Sequence, residues 1–183
     1  MTEIKQVRLS GTGGQGVLLA GALLGEAGVV EGKWVSGSNS YGAQARGSGC
    51  KSEIIFSSAP IDYPHLTVAD FLVVMSQSTY DLYGKDVKEG PEGFILYDEG
   101  LVKPRDDLRT RQVGIPATEL ALKKLNNKQV ANIVLLGAFV EITKIVPPEA
   151  IQKAMKIHVN ERFMALNLKA FEMGMASGRQ ANG

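Results

Sequence analysis

Apolar and polar positions follow two periods along this chain. Residues 4–10 alternate as a strand does, and apolar residues then recur at helical spacing from 16 to 32. The runs 70–75 and 94–98 are almost continuously apolar, which is typical of central strands covered on both faces. The pattern therefore predicts buried strands joined by amphipathic helices.

Weaker periodic stretches complete the order of elements. Further strands are predicted at 34–35, 51–57 and 110–115, and helices at 76–83, 116–125 and 130–143, after 147 and after 160. Because strands and helices alternate, parallel pairing through helical crossovers is expected. We predict one α/β domain over 1–183, a three-layer Rossmann-like fold with a mostly parallel sheet, helices on both faces and C-terminal helices. Ser78 or Thr79 is expected to cap the helix at 76–83, and the tail at 176–183 is expected to be frayed.

Composition excludes some classes of function without choosing one. The 183 residues suffice for one domain with a substantial core. A formal net charge of +1 gives no electrostatic case for binding nucleic acid or acidic membranes. The sequence shows no apolar leader and no run that spans a bilayer, so we expect a cytoplasmic protein. Cys50 is the single cysteine, which excludes an internal disulfide and a four-thiolate iron–sulfur cluster.

A glycine-dense turn links the first strand to the first helix. Gly11, Gly13, Gly14 and Gly16 give the pattern G-x-G-G-x-G. Glycine lets the backbone turn tightly and lets another molecule approach its amides, and the following helix directs free N–H groups to the same place. The turn predicts a phosphate site, with a tight turn that binds nothing as the alternative. A dinucleotide site also needs an acidic residue about 20 residues later, and residues 34–40 contain none.

The second candidate segment is the loop predicted over 36–49, which is rich in glycine and serine. A loop of this length inside one domain usually has a function. Arg46 is suited to bind a phosphate or carboxylate, and Tyr41 is suited to stack or to donate a hydrogen bond. The alternative is a flexible surface connection with a solvated arginine.

The remaining polar residues do not form a complete catalytic or metal site. His65 and His158 lack the spacing of metal ligands, and a structural interpretation is preferred for both. No serine can be paired with a base, and Cys50 is interpreted as a small apolar residue. We therefore predict no catalytic residue and no metal ligand in this chain.

Motifs along nearly the whole chain resemble, in order, the gamma subunit of 2-oxoacid:ferredoxin oxidoreductases. They are GTGGQG at 11–16, SYGAQARGSGCKSEIIFS at 40–57, IDYP at 61–64, ADFLVVMSQ at 69–77, NIVLLG at 132–137 and NLKAFEMG at 167–174. Among the branches of that family, KSEIIFS followed by IDYP is most similar to the 2-oxoglutarate type.

The resemblance implies a complex with alpha, beta and ferredoxin-like delta subunits. Thiamine diphosphate and iron–sulfur clusters would belong to the partner subunits only. Such a complex oxidatively decarboxylates a 2-oxoacid, reduces ferredoxin and transfers the acyl group to coenzyme A. This chain would complete the complex and help to bind coenzyme A, whose phosphates suit a glycine turn without a ribose carboxylate.

The resemblance also implies which residues bind the cofactor. By position these are Gly11, Thr12, Gly13, Gly14, Gln15 and Gly16 in the glycine loop, and Tyr41, Gly42, Arg46 and Gly47 in the Y-G-x-x-x-R-G segment. The chain departs from the family pattern at Ala43, where proline is frequent, and at Ser48, where a second glycine is common. Two roles are considered for Asn132, capping the long apolar helix and contacting a ligand. Two other interpretations stay open, a free-standing Rossmann-type nucleotide-dependent oxidoreductase and the equivalent subunit of an indolepyruvate ferredoxin oxidoreductase.

Overall fold

A mixed sheet forms the centre of the computed structural model, which describes residues 3–41 and 49–182. Its strands are β1 (Ile4–Thr12), β2 (Trp34–Tyr41), β3 (Gly49–Ser57), β4 (Phe71–Val74), β5 (Gly90–Asp98) and β6 (Thr110–Ile115), in the spatial order β2-β3-β1-β4-β5-β6. The predicted α/β class is confirmed.

Strand β3 is the exception to the parallel arrangement. Strands β1, β4, β5 and β6 pair in parallel, whereas β3 pairs antiparallel with both β1 and β2. In β1, Leu9 lies opposite Ser52 of β3 on one side and Val73 of β4 on the other. Strands β2 and β3 are consecutive among the described elements and pair antiparallel as neighbours in the sheet, an arrangement that needs no helical crossover.

The helices begin and end close to the predicted positions. They are α1 (Val17–Val30), α2 (Gln77–Tyr83), α3 (Ala117–Leu125), α4 (Ala131–Thr143), α5 (Pro148–His158) and α6 (Glu161–Asn182), with short 3₁₀ turns at Gly84–Asp86 and Lys128–Val130. Asn126 ends α3 in a left-handed conformation with φ 50°. No helix within 3–41 and 49–182 combines the length and the apolar character that crossing a membrane requires.

The two faces of the sheet are covered unequally. Helices α1, α3, α4, α5 and α6 contribute to the main core on one face, together with Leu9, Ile54 and Val73 from the strands. The opposite face carries a smaller core in which Tyr80 of α2 packs with Leu72. The prediction of helices on both faces is therefore confirmed, and the second helical layer is thin.

Helices α4 and α6 approach each other unusually closely. Every residue of α4 from Ala131 to Glu141 is buried. A Cβ atom at Gly137 would overlap the carbonyl oxygen of Phe171, and one at Gly174 would overlap that of Val134. Backbone contact between the helices therefore requires glycine at both positions.

Three local predictions were wrong. Strand β2 continues to Tyr41, so it includes residues 36–41 of the stretch predicted as a loop, because its polar residues pair in register with β3. The cap of α2 is Ser76, whose Oγ accepts a hydrogen bond from the Thr79 amide at 3.4 Å, because the helix begins one residue earlier than Ser78. Helix α6 continues through the tail expected to be frayed, and Arg111 Nη2 donates to Asn182 Oδ1 at 2.9 Å.

Candidate ligand site at the glycine loop

The glycine loop joins the end of β1 to the start of α1. Gly11 and Thr12 still belong to β1 and pair with Cys50 and Gly49 of β3. The chain then turns through two residues with positive φ, Gly14 at 95° and Gly16 at 72°. Residues with a side chain rarely adopt such φ angles, so glycine is favoured at both positions. Helix α1 begins immediately afterwards, so its free amides lie at the turn.

The side chain of Gln15 folds back under the loop. Its Oε1 accepts a hydrogen bond from the Thr12 amide at 2.7 Å, and its Nε2 donates to the Met75 carbonyl at 2.8 Å. A Cβ atom at Gly11 would approach Gln15 Oε1 to 2.5 Å, so glycine at position 11 makes room for this side chain. Gln15 thus fixes the loop to β4 and satisfies the Thr12 amide within the protein.

Asn132 holds the other end of the loop. It lies in the first turn of α4 with 3% of its surface exposed, and its Nδ2 donates to the Gly16 carbonyl at 2.9 Å. A Cβ atom at Gly16 would overlap the Asn132 side chain. The prediction left the role of Asn132 open, and the structure makes it a support of the glycine loop.

A cavity of about 360 Å³ opens beside the loop. Its lining residues are Gly13, Gly14, Gln15, Met75, Leu101, Thr118, Lys128, Gln129 and Ala131. Three helices contribute their first residues or the loop before them: α1 through the glycine loop, α3 through Thr118, and α4 through Ala131. The partial positive charge at the start of each helix favours an anion in this cavity.

The charges around the cavity also favour an anion. Lys128 is the only charged residue among the described residues that line it. Asp98 is fully buried, and its carboxylate accepts hydrogen bonds from the Thr118 amide at 3.0 Å and the Thr118 hydroxyl at 2.5 Å. The start of α3 is therefore neutralised by Asp98, and the attraction for an anion comes mainly from α1, α4 and Lys128.

The predicted site residues divide into separate groups. Gly13, Gly14 and Gln15 line the cavity, whereas Gly11, Thr12 and Gly16 shape the loop from behind it. Tyr41 is 67% exposed at the end of β2 and does not line the cavity. The predictions for Gly42, Arg46 and Gly47 fall outside the described residues.

Sequence reasoning missed Lys128 and Gln129. Both follow Asn127, whose side chain accepts a hydrogen bond from the Gln129 amide at 2.9 Å. Asn127 thereby caps the 3₁₀ turn before α4. An Asn before a helix was the available local signal, but only the packing of α4 against α1 brings this turn to the glycine loop.

The comparison with known proteins identifies the family. Residues 6–177 match the family described as pyruvate ferredoxin/flavodoxin oxidoreductase. The chain belongs to this family. The resemblance proposed from the ordered motifs is thereby confirmed.

Curated members of the oxidoreductase family include chains of similar length. The 2-oxoglutarate synthase subunit KorC of Methanocaldococcus jannaschii is 42% identical over 173 residues, which cover 93% of this chain and 91% of that protein. KorC of Methanothermobacter thermautotrophicus is 37% identical, with 95% of each chain covered.

Solved structures share the fold of this family member. The gamma subunit of a keto/oxoacid ferredoxin oxidoreductase from Geobacter sulfurreducens matches with a TM-score of 0.87 and 38% identity over 98% of both chains. A 2-oxoglutarate:ferredoxin oxidoreductase from Magnetococcus marinus, solved with 2-oxoglutarate, coenzyme A and succinyl-CoA, matches with a TM-score of 0.86 and 22% identity. The match covers 97% of this chain and 31% of that chain, and at this identity it shows the fold alone.

The single cysteine of this oxidoreductase family member lies in the protein interior. Cys50 is buried in the main core, and burial raises the pKa of its thiol, which disfavours the nucleophilic thiolate. His158 lies at the end of α5 with its Nε2 3.5 Å from Glu26. In the part of the chain that the structure describes, no three His, Cys, Asp or Glu residues are grouped closely enough to hold a metal ion.

A buried ion-pair network lies on the other face of the sheet. Arg8 Nε and Lys51 Nζ each lie 2.8 Å from Glu53 Oε1, and the Arg8 guanidinium lies 4.6 Å from the centre of the Tyr83 ring. Burial raises the pKa of Glu53, but hydrogen bonds from Lys51 and Arg8 outweigh burial and leave this pKa below the ordinary glutamate value. The network joins β1 to β3 and does not line the glycine-loop cavity.

Proposed function

We propose that this chain is the gamma subunit of a 2-oxoacid:ferredoxin oxidoreductase acting on 2-oxoglutarate, and that its glycine-loop cavity binds phosphate groups of coenzyme A. Relatives named as subunits of 2-oxoglutarate synthase support the substrate, since their similarity covers more than nine-tenths of this chain. The observation that carries the coenzyme A assignment is the cavity itself, where Gly13, Gly14 and Lys128 meet the start of α4.

The expected reaction divides between subunits. The complex oxidatively decarboxylates the 2-oxoacid, transfers electrons to ferredoxin and forms the acyl thioester of coenzyme A. In this proposal the alpha, beta and delta partner subunits supply thiamine diphosphate and the iron–sulfur clusters. This chain has a single cysteine and so supplies no four-cysteine cluster site. We place the complex in the cytoplasm.

The proposed work of this chain is to bind and orient the thiol substrate. Gly13, Gly14 and Lys128 line a cavity that has no carboxylate among its described lining residues, and backbone amides and a lysine ammonium are groups that bind phosphate oxygens. Gln15 and Asn132 hold the loop in place through their hydrogen bonds to Met75 and Gly16. Positioning a substrate through remote phosphates lowers the entropy cost of bringing its reactive end to the acyl group.

The Y-G-x-x-x-R-G segment extends the proposal beyond the cavity. From the family resemblance, Tyr41, Gly42, Arg46 and Gly47 contribute further contacts to coenzyme A. Arg46 would supply a second cation for a phosphate. No catalytic residue is assigned to this chain in the proposal.

Reconstitution of the complex tests this function. The chain is co-expressed with the candidate partner subunits, and ferredoxin reduction is measured with 2-oxoglutarate and coenzyme A, with and without the chain. We expect co-purification with the thiamine-binding subunit and loss of coenzyme A-dependent turnover when the chain is omitted.

Two controls separate the competing functions. A substrate panel that includes pyruvate and indolepyruvate tests the choice of 2-oxoacid. Unchanged turnover without the chain would contradict the proposal, and tight NAD(P) or FAD binding by the chain alone would identify a free-standing oxidoreductase instead.

A further inference from the structure

Helix α1 is apolar on its outward side as well as on the side that packs on the sheet. Glu26 is the one charged residue among its 14 residues, and Glu26 Oε2 lies 3.5 Å from His158 Nε2 of α5. The outward side carries four residues at helical spacing, which we call the α1 stripe: Leu18, Ala22, Gly25 and Val29. A helix that is apolar all round is normally covered by other protein.

Strand β2 lies at the edge of the sheet beside this helix. It pairs with β3 on one side, and no strand within the described residues pairs with its other side. None of its 8 residues is charged and none is proline, although 21% of the whole chain is charged. Edge strands usually carry such residues, because their unpaired N–H and C=O groups otherwise pair with a strand of another chain.

The α1 stripe and the outer edge of β2 form one continuous surface, the α1–β2 edge. A Cβ atom at Gly21 would overlap Ser52 of β3, which pairs with Asn39 of β2. One at Gly28 would lie 2.9 Å from Val35 Cγ2, nearer the start of β2. The helix therefore runs antiparallel to β2, and the middle of the α1 stripe lies level with the middle of the strand.

The lack of charge in the α1–β2 edge favours a second copy of this chain as its partner. A partner with a charged surface would have to bury its charges against apolar residues, which is costly without ion pairs. A second copy brings the same uncharged residues to both sides, so no like charges meet in the stripe or the strand. Two-fold symmetry also sets β2 antiparallel to itself, an arrangement in which the backbone hydrogen bonds of both edges can form.

The faces of the sheet restrict the register of such a strand pair. Residues directly opposite each other in two antiparallel strands point to the same face, and Val35 points to the main core on the side of α1. Pairing centred on Ser38 sets Val35 opposite Tyr41 of the second copy at both ends. Aromatic and β-branched residues form stabilising cross-strand pairs. Tyr41 is 67% exposed in the single chain, so this register also covers an exposed aromatic ring.

We infer that two copies of this chain associate through the α1–β2 edge, with β2 pairing antiparallel to β2 across a two-fold axis at Ser38. The two six-stranded sheets become continuous, and both α1 stripes lie on the same face, on opposite sides of the paired strands. The contact is isologous, so it closes at two copies. The inference goes beyond the proposed function, because it places two copies of this chain in contact within one complex.

Sedimentation of the purified full chain over a wide range of concentration tests the inference. We expect a dimer that dissociates on dilution. Ala22→Glu places like charges in the two facing stripes, and Asn39→Lys places a charge on each strand edge. Each should raise the dissociation constant of the dimer more than about tenfold. Ala165→Glu, at an exposed position of α6, is the matched control and should leave the constant unchanged.

A charge exchange tests the two-fold contact itself. Ala22→Lys alone should weaken the dimer as Ala22→Glu does, and an equal mixture of the two variants should associate again, because opposite charges then face each other across the axis. Circular dichroism and the unfolding midpoint show that every variant is folded.

Several outcomes would overturn the inference. A chain that is monomeric at all concentrations contradicts it, as does a dimer that neither Ala22→Glu nor Asn39→Lys weakens, or a mixture that does not associate. Slow hydrogen exchange of the β2 amides in the reconstituted complex, with a monomeric chain alone, would show that a partner subunit covers the edge. These measurements use neither coenzyme A nor turnover, so their failure leaves the proposed function standing.

Discussion

Asn132 Nδ2 donates a hydrogen bond to the carbonyl oxygen of Gly16 at 2.9 Å and so fastens the start of α4 to the glycine loop. The two residues are 116 positions apart in the sequence. The amide of Ala20 also donates to the Gly16 carbonyl, at 3.1 Å, as part of the first turn of α1. The loop that lines the proposed phosphate cavity is therefore held by the core and not only by its own residues.

Gly16→Ala tests the contact between the loop and Asn132. An alanine at position 16 must keep φ 72°, and its Cβ atom would displace the Asn132 amide. Gly32 has the same φ of 72°, but a Cβ atom there would have no atom within 4 Å, so Gly32→Ala is the matched control. We expect Gly32→Ala to lower the free energy of unfolding by about 1–2 kcal/mol and Gly16→Ala to lower it by about 1 kcal/mol more, because a hydrogen bond is also lost. Urea unfolding measures both, and equal losses would contradict the contact.

Gly174→Ala tests the close packing of α6 on α4. The added methyl group would overlap the Val134 carbonyl, so the two helices must separate along their buried contact. We expect a loss of about 3 kcal/mol in the free energy of unfolding. Gly100→Ala is the control, because the atom nearest to the added Cβ would be Asp98 Oδ1 at 3.5 Å, an ordinary van der Waals distance. We expect this control to change the free energy of unfolding by no more than about 0.5 kcal/mol. Similar unfolding midpoints for both variants would show that the helices tolerate separation.

The positions of strands and helices could be predicted because their signal is local. The apolar run in β4 and the helical spacing in α1 are visible in any short window of the sequence. Strand β2 was predicted too short because residues 36–40 are serine, glycine and asparagine, and only the ladder with β3 keeps them extended.

The composition of the cavity could be predicted only in part. The glycines indicate an open turn, but the sequence does not show that Gln15 folds inward and satisfies the Thr12 amide. Lys128 reaches the cavity because α4 packs beside α1, which is a contact between distant segments. Such contacts leave no periodic pattern, so neither the position of Lys128 nor the support from Asn132 could be predicted from the sequence.

Glu53→Gln tests the ion-pair network on the opposite face. Because Lys51 and Arg8 hold the pKa of Glu53 below the ordinary glutamate value, the carboxylate stabilises the fold above that value and loses this contribution as the pH falls through its lowered pKa. We expect Glu53→Gln to cost about 2 kcal/mol at neutral pH, and the difference from the wild type to shrink below about pH 4. Unfolding measured from pH 3 to 7 checks this, with the exposed Glu31→Gln as control. A difference that is independent of pH would contradict the assigned pKa direction.

The central claim is that the glycine-loop cavity binds a phosphate of coenzyme A, and Lys128→Gln in the reconstituted complex tests it most directly. The control is Lys124→Gln on the exposed side of α3, which removes the same charge outside the cavity. A phosphate in the glycine-loop cavity loses its cation in the first variant only. The measurement is the KM for coenzyme A beside the KM for 2-oxoglutarate, at one salt concentration. The account predicts a rise of roughly fivefold in the KM for coenzyme A, an unchanged KM for 2-oxoglutarate and no effect of Lys124→Gln. An unchanged KM for coenzyme A, or the same rise for both substrates, would contradict it.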